Sequence, residues 1–272
     1  MGTINLGPFA ISLWLILLTI AMFSSLAVGR LTARSWKVDI EPILWTLLIA
    51  AVIGARIVFV ARYFDGYKAA PWSIMDIRDG GFSKSAGMML LIALGAWFAW
   101  RRKEARKPLV LAVGTGIVVW YLGMTALIGR DTGQVKLPQV ELVHLDGGTF
   151  QLQSLAGKPM VVNLWASWCP PCRHEMPVLR DGQAQYRDIV FVFVNQGEAA
   201  DVVQQYLKAA QLSLDNVLLD SKLQVGRQTA SMALPTTLFF NEQGILVERR
   251  VGELSAATLA QRIESLRKPG RP

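Results

Sequence analysis

Residues 160–173 read MVVNLWASWCPPCR, an apolar stretch that leads directly into a pair of cysteines. Residues 160–165 are apolar apart from Asn163, a pattern typical of a strand buried on both faces of a parallel sheet. Cys169 and Cys172 are the only two cysteines of the 272-residue chain. The prolines between them favour a helix start, where a missing N–H costs no hydrogen bond. The stretch therefore predicts a buried strand, a turn and a helix that begins at the cysteines.

Two cysteines with two residues between them at a helix start point to thiol–disulfide exchange. The unpaired N–H groups of the first turn and the helix dipole stabilise a thiolate on Cys169. We expect Cys169 to attack a substrate disulfide and Cys172 to resolve the mixed disulfide that results. The predicted catalytic residues are therefore Cys169 and Cys172.

Three other uses of the cysteines are weaker interpretations. A structural disulfide across two residues constrains very little chain entropy. A zinc site needs four ligands, and the chain has only two histidines, His144 and His174. Covalent haem attachment needs a histidine directly after the second cysteine, where Arg173 stands. We therefore expect no metal and no cofactor apart from a redox-active Cys169–Cys172 disulfide.

The C-terminal half alternates short strands with amphipathic helices. The predicted strands are residues 140–145, 149–152, 160–165, 189–194, 237–240 and 245–251, of which the first two and the last two form hairpins. Helices are predicted from the cysteines to about Tyr186, around residues 203–210, and over residues 259–266. The prediction is an α/β domain with a central sheet, helices on both faces and a core of its own.

A family resemblance rests on three stretches of this half, WCPPC at residues 168–172, EMP at 175–177 and LPTT at 234–237. They resemble the thioredoxin superfamily, and within it the TlpA/ResA-like branch of membrane-tethered thiol–disulfide reductases. The resemblance implies a thioredoxin-like fold for residues 131–272 and the activity of a protein-disulfide reductase. It also implies a cis peptide bond at Pro235, which faces the cysteines and exposes the backbone of Leu234 to a substrate strand. Supporting or substrate-binding roles fall to Trp168, Pro170, Pro171, Leu234, Pro235 and Thr236.

Polar residues near the cysteines leave the route of the protons open. Glu175 follows Cys172 by three residues, so it is either part of a solvated helix face, which we favour, or a proton relay. Asn163 stands where cytosolic thioredoxins carry a buried Asp, and because Asn cannot titrate, proton handling must differ or use water. We expect His174 at the surface and no role for His144.

The N-terminal half has the composition of a membrane domain. The whole chain is 52% hydrophobic and 18% charged, against about 25% charged residues in a typical soluble domain. Residues 1–130 hold 14 Lys and Arg against 6 Asp and Glu, whereas residues 131–272 hold 14 of each. Basic loops beside membrane spans explain this asymmetry. Nucleic-acid binding is excluded as a function because the soluble half has no basic excess.

Four transmembrane helices are predicted, over residues 8–28, 42–61, 86–100 and 108–129, and the third needs residues 81–85 to reach full depth. The first is not read as a signal peptide because no Lys or Arg precedes residue 30. This gives a membrane domain at 1–130 and a thioredoxin-like domain at 131–272. Lys and Arg number three in the first loop and five in the third. On the other side of the membrane there are none before the first span, four in the second loop and two after the fourth span. The protein is therefore predicted to be a multi-pass protein of the bacterial inner membrane with its thioredoxin-like domain in the periplasm.

A second resemblance covers roughly residues 5–100. The stretches GAR at 54–56, DGY at 65–67 and GGFS at 80–83, together with Pro71, resemble the early spans of bacterial prolipoprotein diacylglyceryl transferase. Ser85 stands where that family has a histidine, so the resemblance implies a degenerate domain that anchors the protein or keeps a lipid-like groove. Arg56 lies within an apolar run, and two interpretations are equal: contact with a lipid phosphate, or extension of the side chain towards the headgroups.

Two functions from different classes follow. The first is an extracytoplasmic thiol–disulfide oxidoreductase that reduces disulfides of exported proteins. The second is a lipid-binding or lipid-modifying membrane protein with an accessory thioredoxin-like binding domain. Since no cysteine lies in the membrane half, a reductase needs a separate transmembrane electron donor of the DsbD or CcdA type. The expected partners are therefore exported disulfide-containing proteins, this donor and membrane lipid, but no nucleic acid.

Overall fold

The computed structural model describes residues 3–6, 9–68, 70–130 and 135–267. The chain divides into two compact units. The first unit comprises Met1–Ile4, Ile11–Arg62 and Gly81–Thr132, and the second comprises Asn5–Ala10, Tyr63–Gly80 and Gly133–Pro272. The segment Tyr63–Gly80 thus belongs with the C-terminal residues. The expected domain boundary at residues 130 and 131 borders residues 131–134, which lie outside the described residues.

The first unit is helical. Its helices are α1 (Leu13–Trp36), α2 (Glu41–Arg62), α3 (Lys84–Arg101) and α4 (Arg106–Arg130). Helix α1 packs against α4 and α2 against α3, and Leu47, Leu109 and Ala112 belong to a buried cluster between them. The strands β1 (Thr3–Leu6) and β2 (Phe9–Ser12) precede α1 and form a two-stranded sheet.

Among the described residues, three helices are long and apolar enough to cross a membrane, namely Ile16–Trp36, Glu41–Arg62 and Arg106–Ala126. The expected third span is helical, but α3 is not one of these three. Its 18 residues extend about 27 Å, slightly less than the roughly 30 Å of hydrocarbon in a bilayer.

The first predicted span begins later and ends later than the sequence indicates. Residues 9–12 form β2 rather than helix, and α1 continues to Trp36. Arg30 therefore lies on the helix and not in a loop, and its guanidinium donates to both carboxylate oxygens of Glu41 at 3.0 and 2.8 Å. This ion pair joins the end of α1 to the start of α2.

The second unit contains a seven-stranded mixed sheet. Its strands are β3 (Glu141–His144), β4 (Thr149–Gln151), β5 (Met160–Trp165), β6 (Val190–Gln196), β7 (Val217–Asp220), β8 (Thr236–Phe240) and β9 (Leu246–Val251). The order across the sheet is β4-β3-β7-β6-β5-β8-β9. Strands β5, β6 and β7 are parallel, and all other neighbours are antiparallel. The two expected hairpins are β3–β4 and β8–β9.

The helices of this unit cover the sheet and connect its strands. They are α5 (Pro170–Gln185), α6 (Ala200–Ala209), α7 (Gln224–Gln228) and α8 (Ala256–Leu266), with short 3-10 helices at Phe64–Tyr67, Pro71–Met75, Ile77–Asp79 and Leu152–Leu155. The strand β7 and the helix α7 correspond to no predicted element. All other predicted elements of the C-terminal half are present within three residues of their expected ends.

Strand β5 is buried on both faces, as its apolar sequence predicts. Val161 and Trp165 belong to one core cluster, which also contains Met176 of α5 and Leu259 of α8. Residues 160, 162 and 164 point to the opposite face and join a second cluster with β6, β8 and α7. Full burial of an apolar side chain of this size stabilises the fold by about 1.5–3 kcal/mol. The predicted fold class, membrane helices followed by a thioredoxin-like α/β domain, is confirmed.

Candidate functional site

The two cysteines lie at the N-terminus of α5 and are joined by a disulfide. Their Cα atoms are 5.3 Å apart. Cys169 is the N-cap residue, its Sγ accepts a hydrogen bond from the N–H of Cys172 at 3.3 Å, and Pro170 and Pro171 open the helix. Cys169 keeps 3% of its surface exposed and Cys172 none. An incoming thiol can therefore reach the Cys169 sulfur more easily than that of Cys172.

The loop before β8 carries the cis proline that the resemblance implies. The Leu234–Pro235 peptide bond is cis, and the carbonyl of Pro235 accepts a hydrogen bond from the N–H of Gly252 at 2.9 Å. Thr236 pairs with Leu164 in the ladder between β8 and β5. This register brings Pro235 beside the end of β5, where the turn to the cysteines begins.

Glu175 is not on a solvated helix face, so the favoured interpretation of this residue was wrong. Its side chain is fully buried, because Cys172, Glu175, Met176 and Leu179 form the inner face of α5. Oε1 of Glu175 accepts a hydrogen bond from Nδ2 of Asn163 at 2.7 Å. Oε2 accepts one from the N–H of Leu254 at 3.0 Å.

Burial raises the pKa of the Glu175 carboxyl to about 8, although the hydrogen bonds from Asn163 and Leu254 lower it. Asn163 also donates to Oγ1 of Thr237 at 3.1 Å, and among the described residues its buried Oδ1 has no hydrogen-bond partner. Asn163 cannot titrate, but it is hydrogen-bonded to a group that can, the Glu175 carboxyl on α5.

A second carboxylate, which the sequence does not predict, binds the turn that leads to the cysteines. Oε2 of Glu198 accepts a hydrogen bond from the N–H of Ser167 at 2.7 Å, and Oε1 accepts one from the Ser167 hydroxyl at 2.5 Å. Nδ2 of Asn195 donates to Oε2 of Glu198 at 2.6 Å. Glu198 is 31 residues from Ser167, so no local pattern in the sequence signals the contact.

The other aromatic and histidine residues near the motif have separate positions. Trp168, directly before the disulfide, is 68% exposed, whereas Trp165 is fully buried. His174 is exposed, as expected, with its Nδ1 3.9 Å from a carboxylate oxygen of Glu253. His144 lies on β3 and contacts the Phe150 ring edge-on, away from the disulfide in the sheet order. The described residues contain no group of three or more His, Cys, Asp or Glu arranged to hold a metal ion.

In the first unit, Arg56 is half-buried on α2. Its Nη1 donates to the carbonyl of Gly81 at 2.8 Å, and its guanidinium lies 6.0 Å from the ring centre of Phe59 and 5.7 Å from that of Phe82. Ser85 is in the first turn of α3, and its hydroxyl is 3.4 Å from that of Ser83. Arg56 therefore contacts the residues that lead into α3.

Comparison with known proteins divides the chain in the same way as its composition. Residues 133–263 match the redoxin family and residues 2–132 match prolipoprotein diacylglyceryl transferase. The thioredoxin-like protein YneN of Bacillus subtilis is 29% identical over 160 residues, which are 57% of this chain and 93% of the relative. The thiol-disulfide oxidoreductase ResA of Oceanobacillus iheyensis is 33% identical over 130 residues, which are 47% of this chain and 67% of the relative.

Solved structures also match the C-terminal half. MTB DsbF in its mixed oxidized and reduced forms is 28% identical, with a TM-score of 0.45, over 48% of this chain and 98% of that chain. The ResA sequences and the redoxin match agree with the predicted enzyme class, a protein-disulfide reductase. The chain therefore belongs to the ResA-like family of thiol–disulfide oxidoreductases, and its N-terminal half matches prolipoprotein diacylglyceryl transferase.

Proposed function

We propose that this protein reduces disulfides of exported proteins by dithiol–disulfide exchange through Cys169 and Cys172. The observation that carries the proposal is the Cys169–Cys172 disulfide at the N-terminus of α5, with Cys169 at the surface side and Cys172 enclosed. A helix N-terminus lowers the pKa of a cysteine there, and the thiolate is the reactive form. The structure, with Cys169 and Cys172 joined, corresponds to the oxidised form of the enzyme.

In the reduced enzyme, the Cys169 thiolate attacks one sulfur of a substrate disulfide. The substrate S–S bond breaks, one substrate thiolate leaves, and a mixed disulfide joins Cys169 to the substrate. The Cys172 thiolate then attacks the Cys169 sulfur, forms the internal disulfide and releases the second substrate thiolate. Two electrons pass to the substrate, so a donor must return two electrons before the next cycle.

Glu175 is suited to move the proton of Cys172. The two residues are three positions apart on α5 and share its inner face. A carboxyl with a pKa of about 8 is close in acidity to a thiol, whose ordinary pKa is about 8.5. Glu175 accepts the Cys172 proton when the resolving thiolate is needed and returns it when the site is reduced again.

The substrate chain binds beside the cis proline. Among the described residues the backbone of Leu234 forms no hydrogen bond, so it is free to pair with an extended substrate segment. Trp168, exposed next to Cys169, offers an aromatic surface to the same segment. Pro170, Pro171 and Thr236 support this surface from the helix start and from β8.

The membrane half, residues 1–130, is proposed to act as an anchor with four crossings, followed by the redox domain at 131–272. The segment Tyr63–Gly80 follows α2 and belongs to the same compact unit as the redox domain, which follows α4. Two parts of one unit lie on one side of the membrane, so an even number of crossings separates them. Since α4 is a candidate span, α3 must cross the membrane as well, with local bilayer thinning to match its length.

The orientation and the partners follow from charge and cysteine content. The distribution of basic residues favours a cytoplasmic position for the first and third loops and a periplasmic one for the redox domain. Both cysteines of the chain belong to the redox site, so the electrons come from a separate transmembrane protein of the DsbD or CcdA type. The lipid-handling alternative requires Arg56 or Ser85 to act on lipid.

The proposal is tested by trapping. Cys172→Ser in the full chain, expressed in cells, should accumulate mixed disulfides between Cys169 and exported proteins, because the resolving thiol is absent. Cys169→Ser is the matched control and should trap nothing. Reducing electrophoresis followed by mass spectrometry identifies the partners. Absence of any adduct on Cys172→Ser, with the protein present in the membrane, would refute the proposal.

A further inference from the structure

The segment Tyr63–Gly80 makes polar contacts with the C-terminal part of its own unit. The hydroxyl of Tyr63 donates to Oε2 of Glu264 on α8 at 2.7 Å. The hydroxyl of Ser255, the N-cap of α8, donates to Oδ2 of Asp79 at 3.0 Å. The Asp79 carboxylate is 6% exposed and also accepts a hydrogen bond from the Tyr67 hydroxyl at 2.8 Å. A buried carboxylate shared by two hydroxyls indicates a specific contact rather than a chance approach.

The approach of the two backbones is close enough to require glycine. A Cβ atom on Gly66 would lie 2.6 Å from the backbone N of Ala257 and 2.8 Å from its Cα. Gly80 has a φ of +65°, and Nη2 of Arg250 donates to the carbonyl of Arg78 beside it at 2.7 Å. The start of α8 and the end of β9 thus lie directly against the segment.

The contacted residues continue into the redox site. Ser255, bound by Asp79, follows Leu254, whose N–H is one of the two donors to Glu175. Gly252, two residues earlier, donates to the carbonyl of Pro235. Residues 252–255 therefore form a short loop that touches the cis proline, the buried carboxyl and the segment Tyr63–Gly80.

We propose that residues 63–80 are a docking element that binds the redox domain of the same chain at residues 250–264 and orders the 252–255 loop beside the disulfide. Residues 65–67 and 80 belong to the stretches that resemble the transferase family, and thiol–disulfide exchange makes no use of them. In this chain they serve as a binding surface for an attached protein domain. Asp79 is a positioning residue, because it acts on the redox site through Ser255 and Leu254.

Amide hydrogen exchange of the oxidised full chain in detergent tests this inference. Gly66→Ala places a methyl group against the backbone of Ala257, so the amides of residues 63–80, of α8 and of Leu254 should exchange about tenfold faster or more. Gly114→Ala is the matched control, because no atom beyond its chain neighbours and its own helix backbone lies within 4 Å of the added Cβ, and it should leave these rates unchanged. Unchanged exchange at α8 or at Leu254 in Gly66→Ala would overturn the proposal.

A second variant is needed if Gly66→Ala unfolds the domain. Unfolding would appear as faster amide exchange in the core strand β5 as well. Asp79→Ala removes the shared acceptor without adding bulk, and it should free the same amides while β5 keeps its protection. Asp79→Asn retains one oxygen acceptor and should restore part of the protection at Leu254. If the Leu254 amide exchanges equally slowly in the wild type and in Asp79→Ala, the docking element is refuted. None of these measurements requires redox activity, so they fail or succeed independently of the proposed function.

Discussion

In the redox half, the residues of the sequence motif meet at one site, whereas in the membrane half the motif residues divide between two compact units. Cys169, Cys172 and Pro235 all surround the end of β5. In the other half, Arg56 donates to the carbonyl of Gly81 within the first unit, while Gly66 lies against the backbone of Ala257 in the second unit. A motif can therefore keep its residues while its parts make contacts of different kinds.

The difference has a physical origin in what supports each motif. The cysteines follow a strand that is packed on both faces, so the core fixes their position. Of the transferase-like residues, those at 65–67 and 80–83 lie in short 3-10 helices and at helix ends, where packing restrains the backbone less. A segment of this kind can acquire a new contact surface without disturbing a core.

The strongest test of this contrast replaces one residue of each half. Cys169→Ser should abolish reduction of insulin by the full chain with dithiothreitol as donor, because the attacking thiolate is lost. Ser85→Ala should leave the rate of insulin reduction unchanged, since the Ser85 hydroxyl lies beside that of Ser83 at the start of α3, in the membrane half. Turbidity from precipitating insulin chains measures both. Equal loss in the two variants would mean that the membrane half takes part in the chemistry.

The sequence predicts most of the redox half because its signals are local. The apolar run at 160–165, the proline pair after Cys169 and the turns of the two hairpins each act over a few residues, and each element forms as expected. The paired cysteines follow from their spacing at a helix start, and the cis bond at Pro235 follows from the resemblance. Strand β7 was missed because its apolar residues are too few to show a period.

The errors concern contacts between distant residues. Glu175 was assigned to solvent by its charge, yet its spacing from Cys172, Met176 and Leu179 follows the stripe of a buried helix face. That spacing could have revealed it. Glu198 and Asp79 contact residues far away in the chain, and no periodicity or propensity reports such pairs. For this reason the residues around the site were harder to predict than the cysteines.

The buried carboxyl should make the stability of the redox domain depend on pH. The folded pKa of about 8 exceeds the unfolded value of about 4.3, so the folded state binds the proton more tightly. The stabilisation is complete at pH values below about 4 and is lost as the pH rises towards 8. Between pH 5 and pH 8 the free energy of unfolding should fall by on the order of 4 kcal/mol.

Glu175→Gln should remove this slope, because a neutral amide does not titrate. Urea unfolding of the oxidised fragment 135–272 at the two pH values measures it, since this fragment contains all seven strands of the mixed sheet and both core clusters. Glu242→Gln, at an exposed turn, should keep the slope of the wild type. A slope that survives in Glu175→Gln would assign the pH dependence to another group.

The hydrogen bonds of the Glu198 carboxylate should contribute less to the free energy of unfolding than the buried carboxyl of Glu175. Glu198→Ala removes an acceptor of hydrogen bonds from Ser167 and Asn195, which should lower the free energy of unfolding by about 2–3 kcal/mol. Urea unfolding of the same fragment at pH 7 gives the value, with Glu242→Ala as the control. A change below about half a kcal/mol would show that water replaces the carboxylate at the turn.

The smallest expected effect concerns the exposed aromatic beside the disulfide. Trp168→Ala removes a side chain that is 68% exposed, so it should hardly change stability but should raise the KM for a protein substrate about three- to tenfold. The turnover number should change little, because Cys169 and Cys172, which carry out the exchange, are both retained. Val143→Ala removes another exposed apolar side chain, on β3, three strands away from β5 in the sheet order, and should leave KM unchanged. A fall in the turnover number of Trp168→Ala with KM constant would instead assign Trp168 to the reactivity of Cys169, and would make the surface around Leu234 sufficient for substrate binding.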